Sequence, residues 1–117
     1  MQDYTVIVGE EAAEYLDIRG AEAAYMPTDG TPGIFRWREN PSRAAVAEEL
    51  HHAAQHRAAN WQVGDQQWVY EREIEAQEWL YTQAKLQGWT KREMKRFRLA
   101  RVYWIEKWER LTGRRYQ

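Results

Sequence analysis

From Asn40 onward the chain is punctuated as three consecutive helices, and this punctuation constrains the fold more than any other feature of its 117 residues. Asn40 is a good N-cap, and Pro41 suits the first helical position, which tolerates a fixed φ and a missing N–H. The helix that follows is expected to run to about Ala59. Residues 60–65 read as a loop, and Asp65 can cap a second helix reaching about Gln87, where Gly88 can end it. Thr90-Lys91-Arg92-Glu93 has the form of a capping box, in which the Thr hydroxyl serves the third amide and the Glu carboxylate reaches back. A third helix then closes near Gly113.

Ahead of Asn40 the pattern is that of strands. Tyr4-Thr-Val-Ile-Val8 is a β-rich apolar run ended by Gly9, and Ala23–Met26 reads as a second strand. Between them Glu10–Leu16 reads as a short helix. Pro and Gly density over residues 27–33 predicts a turn or loop. Ile34-Phe-Arg-Trp-Arg38 alternates apolar with basic, the period of a half-buried strand. The expected fold class is α+β: a small N-terminal β-sheet with a short helix, followed by three long α-helices. One domain is expected over 1–117, with a strand-rich part over 1–39 and a three-helix part over 40–117.

The chain has no Cys, which excludes a disulfide scaffold, a Cys-ligated zinc finger, an iron–sulfur cluster and a thiol nucleophile. Any metal site must come from carboxylates and from His51, His52 and His56, the only three histidines. No run reaches the length of a membrane span, and Met1–Val8 lacks the basic and apolar regions of a signal peptide, so the chain reads as soluble. The formal net charge of −1 conceals an asymmetry: residues 1–84 hold 6 Lys/Arg against 15 Asp/Glu (−9), and residues 85–117 hold 11 against 3 (+8). A basic helix with interleaved aromatics can bind a nucleic-acid backbone or an acidic partner, and Lys and Arg also cover the solvent face of ordinary amphipathic helices.

Helical phase brings the polar residues of the first two helices into relief. At 100° per residue, Val46, Leu50, Ala53 and Ala54 fall on one side of the first helix, and Glu48, His52 and Gln55 fall on the other, flanked by Glu49 and His56. In the second helix Glu73 lies in the middle of the stripe made by Val69, Ala76, Leu80 and Ala84, whereas Glu71, Glu75 and Glu78 point away. A carboxylate on a core-facing stripe needs a counter-charge or a cation. Arg101 is one candidate, because it lies within the third helix's apolar stripe of Phe97, Trp104, Trp108 and Leu111. The other is a divalent metal shared with Glu48 and His52, whose four-residue spacing lets both converge on one ion as the two His of HExxH do.

The string Glu48-Glu49-Leu50-His51-His52-Ala53-Ala54-Gln55 resembles the active-site helix of the small zincin-like metallopeptidase domains at the C-termini of bacterial polymorphic toxins of the Rhs or YD-repeat kind. Those helices read HELxHxxQ, with a branch reading EELxHxxQ that follows an arginine-bearing strand and an Asn-Pro-Ser/Thr-Arg helix start. Here Ile34-Phe-Arg-Trp-Arg-Glu-Asn-Pro-Ser-Arg43 stands in that place. Glu73-Ile-Glu-Ala-Gln77 resembles the third-ligand helix, and Gly88-Trp89-Thr90 begins the last, so the likeness spans about residues 32–110.

The resemblance implies Glu49 as the general base for a metal-bound water, His52 as the second helix ligand and Glu73 as the ligand from the next helix. Glu48 stands where the first His of HExxH would be. Two carboxylates and one imidazole make a harder set than two His and one Glu: zinc is the first expectation, Mn or Fe also suit it, and a degenerate site would hold no metal. His51 or His56 would substitute as ligands only with the helix rotated. Tyr70 or Arg101 would stabilise an oxyanion, with Gln55 in support. The strand Ile34–Arg38, taken as an edge, would hold an extended peptide. The implied setting is a toxin domain in interbacterial competition, delivered within a larger secreted protein into a target cell's cytoplasm. Its partners would be a protein substrate and a cognate immunity protein.

Two other readings stay open. A metal-independent nuclease (RNase) toxin would use His52, Glu49 and Arg101 with the basic tail, although nucleic acid ranks below protein as the expected substrate. A non-catalytic binding module would use Glu48, His52, Glu73 and Arg101 as a buried polar network. Trp68, Trp79, Trp104 and Trp108 fall at helical spacing and read as packing residues, whereas Trp61 and Trp89 fall in loops and are expected to be the more exposed.

Overall fold

In the computed structural model, which describes residues 3–117, the elements run β1 (Thr5–Val8), α1 (Glu10–Arg19), β2 (Ala23–Thr28), β3 (Thr31–Trp37), α2 (Arg43–Ala58), α3 (Gln66–Gln87) and α4 (Lys91–Thr112). The fold is α+β, as the sequence pattern predicts. Met1 and Gln2, the start of the strand-rich part, lie outside the described residues. Contacts divide the chain into two compact units, residues 1–63 and residues 64–117.

In the first unit the strands form one sheet in the order β1-β3-β2, with β1 parallel and β2 antiparallel to β3. β3 is therefore the central strand, and the expectation that Ile34–Arg38 forms an edge fails because β1 pairs along its other side, with Thr5 opposite Ile34 and Val8 opposite Trp37. The Pro/Gly-rich stretch 27–33 is mostly strand. Gly30 takes the left-handed φ of 83° that lets the chain reverse between Thr28 and Thr31, whose hydroxyls lie 2.8 Å apart. Pro27 sits at a register shift on an edge strand, where its missing N–H breaks no ladder bond. Successive residues of β3 point to opposite faces: Arg36 lies over the Tyr15 ring of α1, and Phe35 packs with Tyr25 and with Ala53 of α2. The sheet is thus covered by α1 on one face and α2 on the other.

α2 starts two residues later than Asn40-Pro41 predicts. Ser42 is the N-cap, its hydroxyl accepting from the Ala45 N–H. It is held there by the carboxylate of Glu22, which accepts from the Ser42 N–H (3.3 Å) and hydroxyl (3.0 Å). The buried face of α2 is Ala44, Ala45, Ala53 and His56, while Leu50, placed on the apolar side by helical phase, is 51% exposed.

The second unit is a helical hairpin whose ends follow the sequence closely. Asp65 accepts from the Trp68 N–H, Gly88 and Gly113 take left-handed conformations at the C-caps, and Thr90 and Glu93 form a complete capping box. Ile74, Ala76, Gln77, Leu80 and Ala84 of α3 are buried, as are Phe97 and Trp108 of α4. Trp104 lies 5.8 Å from Tyr70, centroid to centroid, and Leu111 is exposed. Trp61 and Trp89 are half-buried rather than exposed: Trp61 meets His56 and Tyr4 edge-on, and Trp89 packs on Phe97.

Candidate metal centre

One turn of α2 sets Glu48 and His52 on the same side of the helix, as residues four apart must be. Both are half-buried. His52 is oriented from within its own helix. Its Nδ1 lies 2.9 Å from the side-chain oxygen of Gln55, which can only accept, so Nδ1 carries the proton and Nε2 carries the lone pair. Gln55, assigned a supporting role by resemblance, thus fixes the tautomer that a ligating imidazole needs.

Glu73 lies on α3, half-buried, next to the fully buried Ile74. Glu48 and His52 of the first unit and Glu73 of the second each offer one ligand atom, a group that could hold a metal ion. Two carboxylate oxygens and one imidazole nitrogen suit Zn, Mn or Fe. His51 lies outside this group.

Glu49, on the neighbouring position of α2, is engaged with the sheet. Its Oε1 accepts from the Tyr25 N–H at 2.7 Å. That bond presses α2 onto β2 and occupies a backbone donor of this edge strand, where Pro27 offers none. The other supporting residues, Tyr70 and Arg101, have contacts of their own within the second unit. Arg101 engages Glu78 (Nε and Nη2 each 3.0 Å from Oε2), so its counter-ion is Glu78 rather than Glu73. The Tyr70 ring packs on Trp104 with the Lys107 ammonium 5.7 Å from its centroid.

Glu71, grouped with the surface acids by helical phase, proves to be a packing residue. Its Oε2 accepts from Gln67 (3.1 Å) and from the indole N–H of the buried Trp108 (3.0 Å). The Gln67 bond and then the Trp108 bond hold its carboxyl below the ordinary carboxylate range, against the opposing effect of burial.

The polar network that sequence reasoning missed centres on His56. This side chain is buried, with Nε2 2.9 Å from the Thr28 carbonyl and Nδ1 2.6 Å from the Tyr25 hydroxyl. The carbonyl can only accept, so Nε2 donates to it, Nδ1 accepts, and the Tyr25 O–H donates to Nδ1. That hydroxyl in turn accepts from the Gly33 N–H at 2.8 Å. Burial pushes the Tyr25 phenol up, which keeps its proton available to the imidazole. A side chain at Gly33 would strike the Met26 carbonyl and approach the Tyr25 hydroxyl to 2.8 Å, so glycine is required for the close approach. Both His56 nitrogens are thereby used within the fold, which removes His56 from the possible ligands.

No known family model, curated protein or solved structure matches this chain. No helix among the described residues is long and apolar enough to cross a membrane.

Proposed function

We propose that the chain is a metal-dependent hydrolase, a minimal zincin-like peptidase acting as the toxin domain of a polymorphic toxin. The observation that carries this reading is the pairing of Glu48 and His52 on one turn of α2, which with Glu73 makes a group that could hold a metal ion. Its support is the Gln55 contact that leaves His52 Nε2 as the donor atom. Glu48, His52 and Glu73 would hold the cation, zinc first and Mn or Fe as alternatives for so oxygen-rich a set. A divalent ion there would supply Lewis acidity toward a carbonyl and acidify a water. Glu49 would receive the proton: its Oε1 accepts from the Tyr25 N–H, which orients the carboxylate. The protein substrate and the cognate immunity protein belong to this same proposal, as does delivery into a target cell's cytoplasm.

A second reading is favoured by that same Tyr25 contact, in which Glu49 serves only to pin α2 to β2. Glu49→Gln separates the two, because its amide oxygen can still accept from the Tyr25 N–H while the group can no longer take a proton. The test is calorimetric titration of the chelator-stripped protein with Zn²⁺ and Mn²⁺, beside a toxicity assay on expression in a bacterial cytoplasm. One ion bound per chain is expected, with affinity reduced ten-fold or more in His52→Ala and Glu73→Gln, and toxicity lost in Glu49→Gln with the melting temperature unchanged. No saturable binding, or full toxicity in Glu49→Gln, overturns the peptidase reading.

A further inference from the structure

We infer that the outward face of α4 binds single-stranded nucleic acid through its phosphodiester backbone, independently of the metal group proposed above. Residues 91–101 hold six Lys/Arg against one Asp/Glu. The single acid, Glu93, is committed to the capping box, where its Oε1 accepts from the Thr90 N–H and hydroxyl. Arg101 is neutralised by Glu78. The remaining five, Lys91, Arg92, Lys95, Arg96 and Arg98, are all exposed, and among the described residues no carboxylate stands within ion-pair distance of any of them.

This arrangement works against the helix that carries it. Lys91 with Lys95, and Arg92 with Arg96, are like charges four apart; Arg92 with Lys95, and Lys95 with Arg98, are like charges three apart. Lys91 and Arg92 also lie in the first turn, where the aligned peptide dipoles disfavour positive charge. An anion laid along the face would relieve both effects at once, and a chain of phosphates is the anion whose repeat matches a row of cations.

The apolar residues on the same face choose among polyanions. At 100° per residue Arg92, Arg96, Leu99 and Tyr103 fall within an arc of about 60°. Leu99 is 61% and Tyr103 49% exposed. Phosphates on the arginines would bring an unstacked base onto the Tyr103 ring or against Leu99, an option that only a single strand offers. A lipid surface fits less well, because the exposed apolar residues Leu99, Val102 and Tyr103 lie among the cations on the same arc of α4 rather than on a broad apolar face opposite them.

The test is fluorescence anisotropy of a labelled 20-nucleotide poly(U) strand with the full chain in EDTA, between 50 and 200 mM KCl. Binding is expected at 50 mM, with log K falling linearly against log salt at a slope of about −3.5 for five neutralised phosphates. The triple variant Arg92→Gln/Lys95→Gln/Arg96→Gln should flatten the slope by about 2, and Tyr103→Ala should weaken binding about five-fold while leaving the slope unchanged. Circular dichroism checks that each variant keeps its helix content, and Arg96→Gln alone, expected to flatten the slope by about 0.7, serves if the triple variant misfolds. The inference is overturned by any of four results: no salt-dependent binding; a slope unchanged in the Gln variants; equal affinity of Tyr103→Ala and the parent; or tighter binding to a 20-base-pair duplex or to vesicles with 30% phosphatidylserine. Because EDTA is present throughout, failure here leaves the metal-dependent reading untouched, and the converse holds.

Discussion

His56 and Tyr25 show what residue-by-residue reading can and cannot reach. Phase on a helix wheel counts a histidine as polar and assigns it to the wet side; it has no access to a tyrosine hydroxyl that a strand thirty-one residues earlier brings within 2.6 Å. The network is closed at every atom, so its energetic weight lies in the cost of opening it. Tyr25→Phe keeps the ring and its packing on Phe35 but leaves the Gly33 N–H and His56 Nδ1 without the hydroxyl between them. A buried polar group deprived of its partner costs about 1–3 kcal/mol, so Tyr25→Phe should lower unfolding stability by about 2–3 kcal/mol in urea titrations with the m-value unchanged. A loss below about 0.5 kcal/mol would mean that water replaces the hydroxyl freely. By contrast the candidate ligands Glu48, His52 and Glu73 were legible, because spacing along one helix and an acid on a core-facing stripe are local facts. The Tyr25 bond to Glu49 was not, since it depends on which strand lies at the sheet's edge.

Elements were legible where their ends are set by their own side chains. Asp65, Gly88, the Thr90–Glu93 box and Gly113 each satisfy backbone groups within a turn, so local chemistry decides them. The start of α2 was displaced because Glu22, twenty residues away, captures Ser42, and the sheet order was hidden because nothing local to β3 says that β1 will pair beside it. The α3–α4 hairpin carries one further long-range tie, from Trp108 to Glu71. The Glu71 carboxyl is held below its ordinary range in the folded hairpin, so the fold binds its proton less readily than the unfolded chain does. Its stabilising effect is therefore fully present above the unfolded pKa and is lost as pH falls through the folded one. Glu71→Gln removes this titration. Its stability should fall less than that of the parent chain between about pH 5 and pH 3, as followed by guanidinium unfolding at each pH. Parallel pH profiles for the two chains would show that the Gln67 and Trp108 bonds do not discriminate the ionised form.

At the scale of the whole molecule, the net charge of −1 is the sum of two large and opposite charges, −9 over residues 1–84 and +8 over residues 85–117. The fold does not cancel the positive share at α4, where five cations stand on an exposed face with no carboxylate beside them among the described residues. Nor does it cancel the negative share at α1, whose Glu10, Glu11, Glu14 and Asp17 are all exposed; among the described residues only Asp17 is engaged, by Arg38 at 2.7 Å. A chain with almost no net charge has little overall repulsion to keep copies apart, and oppositely charged faces give them a reason to approach. The range of that attraction is the Debye length, about 30 Å at 0.01 M salt and about 8 Å at 0.15 M. The weight-average mass of the protein at pH 7, measured by static light scattering, should therefore exceed that of a dilute reference at about 10 mM salt and fall back to it by about 150 mM. The Arg92→Gln/Lys95→Gln/Arg96→Gln chain, whose net charge falls from −1 to −4, should stay at the reference mass throughout. A mass that rises with salt would point instead to association through the exposed apolar residues of α4, Leu99, Val102 and Tyr103, because screening strengthens apolar contact relative to charge.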